Sequence, residues 1–460
     1  MKIVIGHEQN TPKWTFYALM SLFWLTLIFR NYFDIGIPVF VFLVYALAIS
    51  LLGDHNEMIA LAVSCIPLST SLQYKYVLLI IIFVYLLKYY KEFTHFPPWA
   101  LFGVLIMLWE FLHFATLDFS IVEYLRGFTE LLFCMLLFAS SFRDYDYSMI
   151  RTTLAISTIV VTGIIFLNIL KSGASLDEAF SSYYRFGEFE NVTDRSFSGL
   201  FNPNDLGFIC NLSIVGLLQE IYLKKRPLLN LIMISILTLC GILTLSRTFL
   251  VCFVVVILLF TWAKTRERNR GRNLLRSIGI LILIISLVFG AFYLFTQLFP
   301  SAYSQLMNRF EVSDLSGGRI ELLRFFNQHI FSSFKNAMFG IGLQNAAGKI
   351  AELYNRDIVP HNGIQEVLLV WGFPGLILVI GWFWSFIRGA RRYNPRCFTV
   401  MNLLPLIFFV LKTQSGQFFR SGKNLLAVAL AFISLCQIIT PEESADSEIS
   451  AESVDTQQKD

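Results

Sequence analysis

The chain has 460 residues, of which 56% are hydrophobic and 15% are charged, and its formal net charge is +4. Soluble domains carry about 25% charged residues, so this composition excludes an ordinary soluble protein, and the modest net charge does not point to a nucleic-acid partner. The apolar residues form long runs, and a helix needs about 20 apolar residues to cross a bilayer. The composition therefore predicts an all-α, polytopic integral membrane protein.

Fourteen apolar segments follow one another along the chain, and each is predicted to form a membrane-spanning helix. The predicted spans are about 14–33, 35–53, 58–73, 76–90, 97–114, 121–142, 149–170, 205–223, 228–246, 248–264, 274–298, 364–389, 397–413 and 418–439. Segment 58–73 is the weakest, because Pro67 and several hydroxyl residues interrupt it. We therefore expect about 12–14 transmembrane helices.

The distribution of Lys and Arg predicts the orientation, because positively charged loops stay on the cytoplasmic side. The densest basic clusters lie at 264–276, 388–396 and 224–226. Alternating sides outward from these clusters places both termini in the cytoplasm. Two long loops, at about 171–205 and 299–363, then fall on the outer face of the cytoplasmic (inner) membrane. We expect one transmembrane domain over 1–440, followed by a disordered acidic cytoplasmic tail over 441–460.

The second long loop contains a predicted amphipathic helix between Arg319 and Phe334. Its apolar residues recur at helical spacing, with polar residues between them, and they are Ile320, Leu323, Phe326 and Ile330. Such a helix is typical of a segment that lies on the membrane surface.

Cysteine and acidic residues give no sign of a metal or a disulfide. The seven cysteines fall in or beside apolar runs, and the sequence has no CxxC or cysteine–histidine cluster. We therefore expect small buried thiols, no metal and no cofactor.

Basic side chains gather where the predicted spans meet the outer face, and a charge at membrane depth needs a reason. Arg247 lies in a turn between two apolar runs, and Arg126 lies one turn into its span. The other outer basic residues are Arg185, Arg195, Arg319, Arg324, Arg420 and Lys423. Each alone is typical of a snorkelling anchor. Together around one cavity, they would form an anion-binding site.

His361 is the candidate general base. Asn362 follows it as a predicted N-cap, with Gln365 at the capping-box position. The positive end of the helix dipole and nearby arginines favour a neutral imidazole, which can accept a proton. A histidine at a membrane interface is otherwise more often structural. His113 and His329, also assigned to the outer face, serve as comparisons for that alternative.

Asn202 and Asn204 flank Pro203 at the start of a predicted span. The proline breaks the backbone before the helix, and Asn204 or Asp205 can cap it. A helix-start turn explains these residues by itself, but it does not explain why two asparagines stand near Arg195. We therefore predict that both asparagines bind substrate.

Six short motifs occur in order between residues 185 and 385. They are Phe-Asn-Pro-Asn at 201–204, Leu-Ser-Arg-Thr at 245–248, Ser-Gly-Gly-Arg at 316–319, Phe-Gly-Ile-Gly at 339–342, His-Asn at 361–362 and Gly-Phe-Pro-Gly at 372–375. In this order and with this topology, the chain resembles the O-antigen polymerase and ligase superfamily of bacterial surface-polysaccharide assembly. His361 and Gly372 reproduce the family's spacing of a histidine, ten residues and a glycine.

The resemblance implies a GT-C-like membrane glycosyltransferase whose donor is a glycan on undecaprenyl diphosphate. It also implies partners of the same pathway, a chain-length regulator or a flippase, besides membrane lipids. His361 would deprotonate the acceptor hydroxyl, and arginines such as Arg319 and Arg247 would bind the diphosphate leaving group. We expect metal-independent inverting transfer. Asp34, in the first outer loop, is an alternative base, because related membrane glycosyltransferases use an acidic residue there.

Polymerases of this superfamily are often described with an arginine, ten residues and a glycine in a long outer loop. No arginine of the two long loops has a glycine at that offset; they are Arg185, Arg195, Arg309, Arg319, Arg324 and Arg356. The preferred function is a polymerase that joins lipid-linked repeat units into O-antigen or capsule. The first alternative is a ligase that moves the glycan to lipid A-core or another acceptor. An alternative of another class is a non-enzymatic transporter of lipid-linked sugars.

Overall fold

The computed structural model describes residues 12–68, 74–92, 98–114, 121–140, 144–171, 203–266, 292–311, 319–343, 360–414 and 422–437, with single residues between some of these ranges. Every regular element in these ranges is a helix, which confirms the all-α prediction. The first helices are α1 Lys13–Asn31, α2 Val39–Leu52, α3 His55–Ser64, α4 Tyr74–Tyr89, α5 Pro98–Phe114, α6 Ile121–Gly127, α7 Thr129–Ala139 and α8 Tyr147–Lys171. They are followed by α9 Pro203–Tyr222, α10 Pro227–Leu243, α11 Arg247–Arg266, α12 Pro300–Glu311, α13 Arg319–Ile330, α14 Phe334–Phe339, α15 Gly363–Tyr393, α16 Val400–Thr413 and α17 Gly422–Cys436.

Three helices are long and apolar enough to cross a membrane: α8, Arg247–Lys264 within α11, and α15. Shorter apolar helices accompany them, in α2, α5, α7, α10, α16 and α17. Together these helices point to an integral membrane protein. The number of spans and the GT-C-like architecture stay predictions.

Two predicted spans are interrupted. Segment 121–142 forms α6 and α7, which are separated at Phe128. Segment 58–73 forms the end of α3 and then turns over 65–68, because Pro67 lacks the N–H that would continue the helix. Residues 172–202, 267–278 and 438–460 lie outside the described residues. The first long loop, about half of the predicted span 274–298 and the acidic tail therefore stay predictions.

Polar contacts gather one set of helix ends, which we call the Arg151 end. Lys88 Nζ, at the end of α4, donates to Gly53 O at the end of α2, at 2.5 Å. Asn56 Nδ2, at the start of α3, donates to Asp144 O just before α8, at 3.2 Å. Because α2 and α4 both finish here, the chain between them must cross the bundle again. Residues 58–68 therefore lie on a return of the chain between the two ends, and whether segment 58–73 spans a membrane stays a prediction.

Other contacts gather the second set of helix ends, which we call the His361 end. Lys171 at the end of α8 pairs with Asp34 after α1, at 2.6 Å. Lys75 Nζ at the start of α4 donates to Arg126 O near the end of α6, at 2.9 Å. The two sets agree with the alternation of sides that the basic residues predict.

Helix α15 is broken at Gly372, whose φ of 64° lies in the left-handed region. A Cβ at this position would meet the carbonyl oxygen of Met338, so only glycine fits. The break and Pro374 remove the N–H groups that would bond to Leu369 O and Val370 O in a continuous helix. Backbone N–H groups of the motif at 339–342 replace them, from Ile341 at 2.9 Å and Gly342 at 2.8 Å. Two motifs of the resemblance thus complete each other's hydrogen bonding.

Glu110 on α5 fixes this break. Its carboxylate is fully buried and accepts a hydrogen bond from Leu343 N, 2.9 Å from Oε2, and one from Trp371 Nε1 at 2.6 Å. Trp109 Nε1 donates to Trp371 O at 3.0 Å. The first nine residues of α15, Gly363–Trp371, are therefore held from two sides; we call them the half-helix.

Candidate functional site

The half-helix places His361 at its start. Asn362 is the N-cap, and its Oδ1 accepts from Ile364 N at 3.0 Å and Gln365 N at 3.1 Å, which confirms the predicted cap. The predicted capping box is wrong, because Gln365 Nε2 turns to α13 and donates to Leu323 O at 2.7 Å. This hydrogen bond links the half-helix to α13.

Helix α13 is the predicted amphipathic helix, but it ends at Ile330. Phe326 and Ile330 are buried, whereas Ile320 and Leu323 are exposed. Arg319 is its first residue. Burial and the charge of Arg247 both lower the pKa of Arg319, so the two guanidinium groups lie within electrostatic reach of each other.

Arg247 owes its position to a tight turn between α10 and α11. Leu245 has a φ of 50°, and Ser246 then caps α11 by accepting from Phe249 N at 3.3 Å. Ser246 Oγ also donates to Asn204 Oδ1 at 2.9 Å, which ties the turn to the first turn of α9. Arg247 is thereby fixed as the first residue of α11, beside the start of α9.

Lys412 and Asp205 complete this cluster. Lys412 lies in the last turn of α16 with 4% of its surface exposed, and its Nζ is 3.7 Å from Asp205 Oδ1 in the first turn of α9. The ammonium also stands over the ring of Phe208, 5.7 Å from the centroid. A lysine within an apolar segment was the available sequence signal, but it coincided with the predicted end of a span.

The environment of His361 lowers the pKa of its imidazole. Burial is the largest cause, and the positive charges of Arg319 and Lys412 act in the same direction, while Asp205 opposes them. The imidazole is therefore neutral at pH 7 and can accept a proton. Side chains from α9, α13 and α16 thus act together on one histidine.

Other predicted site residues lie apart from this cluster. Arg126 is exposed near Tyr74 and Lys75. Arg324 is exposed and lies five residues after Arg319, a rotation of about 140° that turns it to another face of α13. Asp34 is held by Lys171. Outside the described residues, or with side chains outside them, are Arg185, Arg195, Asn202, Arg420 and Lys423.

The two comparison histidines have structural surroundings. A ring nitrogen of His113 is 2.6 Å from Phe339 O, beside the break in α15. Burial lowers the pKa of His329 at the end of α13, and its backbone carbonyl accepts from Ser332 Oγ at 2.7 Å. Within the described ranges, no three His, Cys, Asp or Glu side chains come together as metal ligands.

Residues 232–380 match the model of a family described as O-antigen ligase. The match confirms the resemblance to the O-antigen polymerase and ligase superfamily. It includes Arg247, Arg319, His361 and Gly372, whereas Asp205 and Lys412 lie outside it. No protein of curated function matches the chain.

Proposed function

We propose that this chain, whose residues 232–380 match a family described as O-antigen ligase, polymerises undecaprenyl-diphosphate-linked repeat units into surface polysaccharide. The observation that carries the proposal is the set of cations around one neutral histidine. Arg319 and Lys412 lower the pKa of His361, and Arg247 lowers the pKa of Arg319. A proton acceptor and several cationic groups thus lie within electrostatic reach of one another.

The reaction assigned to this cluster is an inverting glycosyl transfer. The acceptor hydroxyl oxygen attacks the anomeric carbon of the donor, and its proton passes to the neutral imidazole of His361. The bond between the anomeric carbon and the diphosphate oxygen breaks, and undecaprenyl diphosphate leaves with the electron pair. Arg247 and Arg319 stabilise the charge on that oxygen, because guanidinium groups make bidentate, charge-assisted contacts to phosphate.

This chemistry belongs on the outer face of the cytoplasmic membrane, which we assign to the His361 end. The basic residues at 224–226 follow the end of α9, and those at 388–396 lie in and just after the last turns of α15. Both helices finish at the Arg151 end, so the positive-inside rule puts that end in the cytoplasm. The lipid-linked donor would then reach the cluster from the membrane. A chain-length regulator or a flippase would act as a partner.

A ligase is the second candidate, because the matched family is described as O-antigen ligase. A ligase would use the same base and the same leaving group and would differ in the acceptor. Deletion of the protein separates the two functions: loss of a polymerase leaves single repeat units on the surface, whereas loss of a ligase leaves unattached polymer.

The proposal is tested by complementing the deletion with His361→Ala. We expect the protein to accumulate in the membrane and the polymer to disappear, because the attacking hydroxyl has lost its base. His329→Gln is the matched control, since His329 lies at the same end on α13, and it should restore polymer. A normal polymer ladder from His361→Ala would reject His361 as the base.

A further inference from the structure

His113 is the last residue but one of α5, and both nitrogens of its ring face backbone carbonyl oxygens. Nδ1 lies 2.9 Å from Trp109 O, one turn back in α5, and Nε2 lies 2.6 Å from Phe339 O at the end of α14. We propose that His113 is a positioning residue, which in its charged imidazolium form holds the break in α15 and, through the half-helix, His361. This inference rests on the proposed function, because it concerns how the candidate base is placed.

These two contacts determine the charge of the His113 ring. A carbonyl oxygen can only accept a hydrogen bond, so each ring nitrogen must donate one. A neutral imidazole has one N–H and one unprotonated nitrogen, whose lone pair would face an oxygen at hydrogen-bonding distance. The imidazolium carries both protons and satisfies both carbonyls. His113 is therefore charged, whereas the imidazole of His361 is neutral.

The surroundings of His113 favour this positive charge. It lies in the last turn of α5, at the negative end of the helix dipole. Phe339 is the last residue of α14, where carbonyl groups need donors from outside the helix. The other charged residues of α5, α14 and the half-helix are Glu110, Lys335 and Glu366. Glu110 precedes His113 by three residues on the same face of α5, where opposite charges attract.

Helix α5 holds segment 339–343 at both ends. His113 donates to the carbonyl of its first residue, and the Glu110 carboxylate accepts from the N–H of its last residue. Between these contacts, the segment completes the hydrogen bonding of the half-helix. A Cβ on Gly342 would come to 3.0 Å from the Cβ of His113, so the segment packs directly against this turn of α5. Loss of the His113 hydrogen bond would therefore loosen the half-helix.

This role predicts an alkaline limb in the pH profile of activity. A histidine ordinarily changes charge between about pH 5 and 8. When His113 loses a proton, one of its two carbonyl partners faces a lone pair, so segment 339–343 is held less firmly and activity falls. His361 acts in the opposite direction, because its neutral form is the base. The profile should therefore have an acid limb from His361 and an alkaline limb from His113.

Nitrogen NMR of the full chain in lipid nanodiscs, with isotope-labelled histidine, tests the charge without any measurement of activity. The signals of His113 are identified as those that His113→Gln removes. At pH 7 we expect a proton on both nitrogens of this ring. One protonated and one unprotonated nitrogen would overturn the inference.

The positioning role is tested by polymer formation between about pH 6 and 9 in membranes of the complemented deletion strain. His113→Leu removes the donors and should lower polymer formation at least about tenfold at pH 7, the loss expected for one charge-assisted hydrogen bond. His113→Gln keeps an N–H near the position of Nε2 at every pH, so it should restore activity and lack the alkaline limb. Wild-type activity in His113→Leu, or an alkaline limb retained in His113→Gln, would overturn the positioning role.

His55→Gln is the matched control for these variants. A ring nitrogen of His55 lies 3.0 Å from Asp144 O at the Arg151 end, so the same substitution is made beside a backbone carbonyl far from the break. This variant should keep both limbs of the profile. Loss of its alkaline limb would assign that limb to His55 and overturn the inference.

Hydrogen exchange at the break keeps the test decisive if His113→Leu does not fold. Between about pH 6 and 9, the N–H groups of Ile341 and Gly342 should lose at least about tenfold of their protection in the wild type, relative to His113→Gln at the same pH. Equal protection in both proteins would overturn the inference. A wild type that makes no polymer, but gives the expected NMR and exchange results, would instead count against the proposed function.

Discussion

The two ends of the helix bundle bury charge in opposite ways. At the Arg151 end, Arg151 Nη1 pairs with Glu220 at 2.9 Å, and Arg151 Nη2 donates to Gln437 Oε1 at 2.6 Å. Both charged residues are almost fully buried, one cation facing one anion. At the His361 end, the charges of Arg319 and Lys412 act on one histidine in the same direction, and Asp205 opposes them only in part.

This difference distinguishes a structural cluster from one suited to a ligand. A matched pair recovers its desolvation cost within the protein. A cluster dominated by one sign keeps a positive potential, which attracts anions. The Arg151 end is therefore the internal reference against which variants at the His361 end are judged.

The largest expected effect is on stability at the Arg151 end. Glu220→Gln leaves the buried guanidinium without its counter-charge, so we expect a loss of about 3–5 kcal/mol in the free energy of unfolding. Thermal unfolding in detergent measures it. The double variant Arg151→Met with Glu220→Leu should recover most of the loss, because an apolar pair needs no counter-charge. If the double variant stayed as unstable as Glu220→Gln, the ion pair would stabilise the fold by more than mutual neutralisation of the two charges.

The next effect is on activity at the His361 end. Arg319→Lys and Arg247→Lys keep the charge but lose the planar, bidentate contact, so polymer formation should fall about 10–100-fold. Thermal unfolding should hardly change, in contrast to Glu220→Gln. Full complementation of a deletion strain by both variants would argue against a bidentate diphosphate site.

Glu110 sharpens the comparison, because it is a buried carboxylate at the His361 end that accepts its hydrogen bonds from N–H groups. Glu110→Gln keeps one acceptor oxygen but turns an amide group towards those donors. We expect a loss of about 1–3 kcal/mol in the free energy of unfolding. Glu110→Ala should lower the free energy of unfolding further. If both variants were as stable as the wild type, the Glu110 carboxylate would not be what stabilises the break in α15.

The smallest effect is a shift in the pH dependence of activity. The pKa of His361 lies below its ordinary value of about 6.5, and the neutral form is the base, so activity should fall as the pH drops through that lowered pKa. Lys412→Met removes a positive charge, which raises the pKa of His361 and moves the acid limb to higher pH. Asp205→Asn should move the limb to lower pH. If the acid limb of the pH profile moved in the same direction in both variants, the result would contradict this electrostatic account.

Local sequence signals predicted the parts of the site that depend on neighbouring residues. Asn362 caps its helix because its side chain reaches N–H groups two and three residues away. Arg319 begins its helix as the apolar spacing indicates. Gln365 was misplaced because its partner Leu323 lies on another helix, which no local pattern records.

Tertiary contacts produced what the sequence did not predict. Asp205 and Lys412 come together across more than 200 positions, and an apolar segment with one terminal lysine looks like any other span end. Arg126 and Arg324 were grouped with the cluster by predicted sidedness alone, which fixes depth in the membrane but not position around the bundle. In the case of Arg324, the five-residue interval from Arg319 already contained that information.

The break at Gly372 divides α15 into two parts, the half-helix and residues 373–393, whose lengths can be set independently of each other. Residues 373–393, at about 1.5 Å per residue, are long enough to match the roughly 30 Å of a bilayer core. The half-helix is about 14 Å long, so it sets the distance between the break at one end and His361 at the other. One alanine inserted within it would rotate His361 by about 100° relative to the break, whereas one inserted after the break would leave the position of His361 relative to the break unchanged. The register of the histidine is thus independent of membrane thickness.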